Sequence, residues 1–248
     1  MGFRLSHMRA AWFALLASGL WLPAYGAPCA AQSRPHTTAL VELYTSEGCS
    51  SCPPADRWLS SLASKGNFPQ GIVPVALHVD YWDYIGRKDP YAKRDFSLRQ
   101  RKLTPLQRLA LVYTPRVMLQ GRDFRHWGAP AFDAAVEEIN ASPARARLKL
   151  EIASASAAAL HVRVDAEVLD PGDIDGAGLY LAAYDNRLEG HVVLQWEGPV
   201  RFGRARLDLQ RALPLLPGAL AANSGVVAFV QNRRTAEVLQ ALLLATCR

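Results

Sequence analysis

Two cysteines separated by two serines, Cys49-Ser50-Ser51-Cys52, sit where one hydrophobic period gives way to another. Before them, Val41-Glu42-Leu43-Tyr44-Thr45 is a short β-branched and aromatic run, and Ser46-Glu47-Gly48 is turn chemistry. After them, Pro53-Pro54 opens a helical pattern that carries Leu59, Leu62 and Ala63 to one side. A strand, a tight turn and a helix are thus fixed in succession, with Cys49 expected at the helix N-terminus. Unpaired N–H groups and the positive end of the dipole stabilise a thiolate there. Such a thiolate attacks disulfides and leaves readily, and Cys52, one turn on, is placed to resolve a mixed disulfide. Two other uses share the spacing. Zinc asks for a second cysteine pair or closely spaced histidines, and the sequence has neither. A structural bridge closing a tight loop asks for nothing more.

Three further features bear on the pair. Val112-Tyr113-Thr114-Pro115-Arg116-Val117 sets an X-Pro bond directly before an apolar strand run, which read alone is a turn. His78-Val79-Asp80-Tyr81-Trp82-Asp83 follows the apolar run 72–77, at the C-terminal end of a strand where open α/β sheets build their sites. His78 there either tunes Cys49, joins both thiols around a metal such as copper(I), or is a satisfied structural residue. Asp80 and Asp83 read as turn caps and Trp82 as packing, yet together with Thr114 they make a candidate wall of a substrate groove. Glu42 interrupts an apolar strand. Buried, its carboxyl would have a raised pKa and would take the proton of Cys52; facing an edge or a cation, it would do neither.

The flanks give compartment and organisation. Residues 1–9 carry Arg4 and Arg9 and no acid, and residues 10–22 form an uncharged, predominantly apolar run, as in an export signal cleaved near Ala24-Tyr25-Gly26. The rival is an uncleaved anchor, for which the run is short. Loss of those two arginines takes the formal charge from +6 to +4, too little to argue for nucleic acid or a membrane surface. The expected location is therefore secreted or periplasmic, where disulfides persist. Cys29 and Cys247 then either pair and tie the termini, or Cys29 is lost by cleavage after Ala31. Strand-like and helical runs alternate over 39–140 (39–45, 53–65, 72–79, 88–112, 116–119, 130–140). Strand-like runs dominate beyond (147–153, 159–168, 178–185, 191–196, 200–208, 225–231, 236–244). Residues 87–108 hold eight Lys or Arg against two Asp, with Thr104-Pro105 reading as an N-cap and first helical residue, so two helices are expected over 87–112. Their basic face reads as solvated, or as a site for an acidic partner.

The segments 41–56, 78–84 and 112–115 resemble the family known as domain of unknown function 1223, secreted thioredoxin-like proteins of bacteria, from about residue 38 to the C-terminus. That resemblance implies Cys49 as nucleophile, Cys52 as resolving thiol and Pro115 as a cis-proline whose loop holds the incoming chain. Thioredoxins bury an acid six residues before the first cysteine, where this chain has Leu43; Glu42 lies one further back. The expected architecture is a thioredoxin-like α/β domain over 36–144 with a basic helical insertion at 87–112, followed by a β-rich, sandwich-like domain over 145–248. The expected activity is thiol–disulfide exchange on protein substrates, with a redox partner. No organic cofactor is implied, because no phosphate-binding glycine signature is present. Two alternatives accompany it: a metallochaperone using Cys49, Cys52 and His78, and a binding module whose disulfide is inert.

Overall fold

A computed structural model of the chain describes residues 29–64, 71–85, 88–186 and 190–247; the expected export signal at 1–26 lies outside them. In chain order the strands and helices are β1 (Cys29–Gln32), β2 (Ala39–Thr45), α1 (Pro53–Ser64), β3 (Ile72–His78), α2 (Arg94–Leu106), β4 (Arg116–Leu119), β5 (Arg122–Asp123) and α3 (Pro130–Ala141). They continue with β6 (Ala146–Ala155), β7 (Ala159–Val168), β8 (Ala177–Asp185), β9 (Val192–Arg201), β10 (Arg206–Pro214), β11 (Ser224–Asn232) and β12 (Val238–Ala245). A 3₁₀ helix, Asp80–Ile85, follows β3.

Strand outweighs helix, and the strands form two sheets. One has four strands in the order β1-β6-β7-β10; the other has eight, β12-β11-β8-β9-β3-β2-β4-β5. This overturns the expectation of a thioredoxin-like α/β domain with a β-rich domain appended. The eight-stranded sheet takes strands from both sides of residue 145, joined where β9 runs parallel to β3 at Ala76 and Val192. The reason is visible in burial. β8 and β11 are buried along their whole length, as interior strands of a wide, doubly covered sheet must be. The strands β6 and β7 alternate instead, burying Leu148, Leu150, Val162 and Val164 and exposing the residues between.

Two cores result, one on each face of the large sheet. On the first face, Val41, Leu43 and Ala76 pack with Ala55, Leu59 and Leu62 of α1 and Phe132 of α3, continuous with the inward residues of the four-stranded sheet. On the second, Leu40, Tyr44, Val75 and Leu77 pack with Phe96 and Leu103 of α2.

The basic segment forms one helix rather than two. Thr104 and Pro105 lie within the last turn of α2 instead of opening a new helix. Thr104 Oγ1 donates back to the Gln100 carbonyl at 2.8 Å and accepts from Arg116 Nη1 at 2.8 Å. Nor is the whole stretch a solvated face, because Arg99 is 7% exposed and Gln100 fully buried. Further on, β9 runs through Gly198-Pro199, where a break between strands was expected, and β10 starts later than the run 200–208.

Candidate functional site: a disulfide turn at one edge of the large sheet

The chain leaves β2 at Thr45 and turns at once. The Cys49 N–H donates to the Ser46 carbonyl at 3.0 Å, and the Gly48 N–H to Ser46 Oγ at 3.1 Å. A second turn follows, in which the Cys52 N–H donates to the Cys49 carbonyl at 3.2 Å and a disulfide joins the two residues. The carbonyl of Cys52 accepts the first N–H groups of the helix, from Ala55 and Asp56. Cys52 therefore stands directly before α1, while Cys49 lies in the turn ahead of it rather than in the helix. Both are nearly out of solvent, Cys49 3% exposed and Cys52 0%.

Register brings the other expected residues to this edge. Thr45 is paired with His78 across the parallel β2–β3 ladder, and the Val79 N–H donates to the Thr45 carbonyl at 2.9 Å. On the other side of β2, Tyr44 pairs with Arg116, so the Thr114-Pro115 peptide preceding β4 lies beside the end of β2. That peptide is cis. Trp82, from the 3₁₀ helix, links the two loops. Its indole Nε1 donates to Thr114 Oγ1 at 2.7 Å, and its Cβ lies so close to the backbone of Gly48 that an added methyl there would sit at 3.1 Å. Beyond Pro115 a cleft of about 380 Å³ opens between Tyr113, Val117, Phe124 and Trp127.

Asp80 ties two elements together: its carboxylate accepts from Ser97 Oγ, and its own N–H donates to the same hydroxyl at 3.1 Å, fastening the 3₁₀ helix to α2. Glu42 is placed elsewhere. Side chains alternate along β2, and Val41 and Leu43 face α1, so Glu42 faces α2. There it is fully buried, accepting from Arg99 Nε at 2.8 Å, Arg99 Nη2 at 2.6 Å and the Tyr44 hydroxyl at 2.8 Å. Arg99 in turn lies against the rings of Tyr180, Trp196 and Phe229, 4.8 to 5.2 Å from their centroids. Burial disfavours the charge on this guanidinium, but Glu42 and the neighbouring tyrosines more than offset that and hold it protonated. The expected proton shuttle from Cys52 to Glu42 would have to cross the sheet.

The residue that sequence reasoning passed over is Asp89. It is 1% exposed, and its Oδ2 lies 2.7 Å from His78 Nδ1 and 2.8 Å from the Glu47 N–H it accepts. Its Oδ1 accepts the Tyr91 N–H at 2.9 Å. Burial pushes this carboxyl up, and the hydrogen bond and charge of His78 with the two backbone N–H groups outweigh it, so the carboxyl is held below its usual range. Its signal in the sequence was slight: one of two acids in a basic run, followed by proline. His78 is 7% exposed, with Tyr91 edge-on at 5.5 Å.

A second disulfide joins Cys29 to Cys247. Cys29 lies in β1, paired with Ile152 of β6, so it belongs to the folded body. Two disulfides mark an oxidising, extracytoplasmic setting. Among the described residues no helix is long and apolar enough to cross a membrane. No group of three His, Cys, Asp or Glu among them is arranged to hold a metal ion with Cys49 and Cys52 joined as a disulfide.

Comparison with solved structures finds the same fold in a protein of Agrobacterium tumefaciens known by X-ray crystallography, at 23% identity and a TM-score of 0.62, covering 86% of this chain and 96% of that one. HBP35 of Porphyromonas gingivalis matches at 14% identity and a TM-score of 0.65, covering 86% and 76%. No curated protein matches. The model of a family described as protein of unknown function (DUF1223) matches residues 40–195, a span that holds the cysteine turn, the His78–Trp82 segment and the cis-proline loop, and the chain belongs to that family.

Proposed function

We propose that the protein is an extracytoplasmic thiol–disulfide oxidoreductase acting on protein thiols and disulfides. The observation that carries the reading is the convergence of the Cys49–Cys52 disulfide turn and the Thr114-Pro115 loop on Trp82 at the end of β2. Here the disulfide turn stands beside the Thr114-Pro115 loop, and Pro115 in turn lines a cleft with Tyr113, Phe124 and Trp127 in which a substrate chain would lie. Cys49, in the turn, takes the role of attacking sulfur; Cys52, fully buried before α1, takes that of resolving sulfur. Pro115 and Thr114 present the backbone against which a substrate chain lies. Trapping tests the assignment. Cys52→Ser should accumulate a mixed disulfide through Cys49 when mixed with a disulfide-bonded model peptide, the Cys49 thiolate breaking the peptide's S–S bond and releasing its other sulfur as a thiolate, and Cys49→Ser should accumulate none. Equal trapping by both variants, or by neither, would defeat it.

A further inference from the structure

Removing the proton of a buried thiol needs an acceptor on the cysteines' side of the sheet. The strand β2 offers no carboxylate there, because Leu43 faces α1 and Glu42 faces away. Its neighbour β3 offers a histidine. Ile72 and Ala76 pack with α1, whereas Val73, Val75 and Leu77 pack under α2, so alternation carries His78 to the α1 side. Its register partner there is Thr45, whose buried hydroxyl meets no hydrogen-bond partner among the described residues. One oxygen of Asp89 holds both the His78 ring and the Glu47 N–H, two residues before Cys49. A single carboxylate thus fixes the imidazole relative to the loop that bears the disulfide. Asp89 accepts backbone N–H groups with both oxygens, so it is the acceptor toward Nδ1–H, and Nε2 keeps the lone pair.

Resting on the exchange reading above, we propose that His78, oriented by Asp89, is the proton acceptor of the dithiol. In the direction of substrate reduction, the substrate is held as a mixed disulfide on Cys49. The Cys52 thiol gives its proton to His78 Nε2, and the resulting thiolate attacks Cys49 Sγ. The Cys49–Cys52 bond forms as the bond to the substrate sulfur breaks. The departing thiolate takes the electron pair and then the proton from the imidazolium. The substrate disulfide gains two electrons and the dithiol loses them; oxidation of a substrate reverses each step. Asp89 is the positioning residue, and its charge stabilises the imidazolium. Tyr91 stands edge-on to the ring; the charged groups bonded to the same segment are Asp83, whose Oδ1 accepts the Asp89 N–H at 3.1 Å, and Lys93, whose backbone N–H donates to the His78 carbonyl at 3.0 Å while its Nζ donates to Gln195 Oε1 at 3.2 Å.

The test uses the full chain, reduced and then reacted with an aromatic disulfide reagent, with the resolving rate followed from about pH 5 to 9. In the unaltered protein the rate should show an inflection that coincides with the His78 ring titration measured by NMR. His78→Gln should slow resolution about 100-fold near neutrality and move the inflection up toward a free thiol, about 8.5. Asp89→Asn should slow it less and shift the same inflection. A measurement that needs no variant to fold is the ring titration itself, which should differ between the disulfide and dithiol forms. An unchanged rate profile in His78→Gln, with mixed disulfides still forming on Cys49, would overturn this assignment and leave the exchange reading intact. An identical ring titration in both redox forms would do the same. If the unaltered protein forms no mixed disulfide, the exchange reading falls and this one with it.

Discussion

Glu42 shows how one residue's parity decides its role. A carboxylate in the apolar run Val41–Thr45 is conspicuous in the sequence, and its burial there would suggest a proton shuttle, although it lies one residue further from Cys49 than the acid of thioredoxins. Alternation was also legible, but which parity faces the cysteines is settled only when α1 docks over Leu43. Glu42 instead closes a buried ion pair with Arg99, a residue that a local reading assigns to a solvated basic face. Truncating one partner strands the other charge. Arg99→Met should cost about 3–5 kcal/mol of stability in urea unfolding and leave the Cys49–Cys52 potential unmoved, since the two sites lie on opposite faces of the sheet. Adding Glu42→Leu should recover much of that loss. A stable Arg99→Met with an altered potential would contradict the separation.

Among the elements, those whose signals are local were legible. β2 and β4 fall on the expected residues, and α1 and α3 within one or two. The end of α2 was not, because Thr104-Pro105 has the chemistry of a helix start. Its hydroxyl is instead claimed by Gln100 and by Arg116, the latter fully buried and bonded also to Asp123 at 2.9 Å. The β3–β9 seam was equally hidden, since parallel pairing of residues 76 and 192 leaves no trace in either segment. That seam carries a pH dependence of its own. His191 stands at φ +55° just before β9, accepts the Ala76 N–H on its carbonyl at 3.1 Å, and packs 4.8 Å from the Tyr184 ring. Burial lowers its pKa to about 4. The unfolded chain therefore binds a proton before the folded one does, and stability falls as pH drops from about 6.5 to about 4, by about 3 kcal/mol. Asp89 acts lower down: its carboxyl is held below its ordinary 3.8, so its contribution is lost only in stronger acid. Urea midpoints across that window should fall in the unaltered protein and flatten in His191→Asn, which tolerates the left-handed backbone. Equal slopes in both proteins would remove His191 from the explanation.

At the scale of the whole molecule, the β-rich texture of the second half was legible and its destination was not. Runs such as 178–185 and 225–231 announce strands, but long-range pairing put them into the sheet that begins with β2 rather than into a sandwich of their own. The Cys29–Cys247 bridge, one of two possibilities open in the sequence, ties β1 of the four-stranded sheet to the residues after β12 across a separation of 218 residues. Loop-closure entropy for so long a loop is about 5 kcal/mol as an upper figure. Paired replacement of Cys29 and Cys247 by serine should lower stability toward that amount while leaving exchange at Cys49–Cys52 in place; loss of exchange in a folded variant would show the bridges to be coupled.

The central claim is that the Cys49–Cys52 disulfide is made to open and close. The measurement that meets it most directly is equilibration of the protein against graded thiol and disulfide buffers, with free thiols trapped by alkylation and located by mass spectrometry. Cys49 and Cys52 should titrate together and reversibly at a potential above about −300 mV, with Cys49 alkylated first and Cys29–Cys247 still closed. A Cys49–Cys52 bridge that stays shut well below that potential would make it a structural clasp and remove the basis for exchange chemistry.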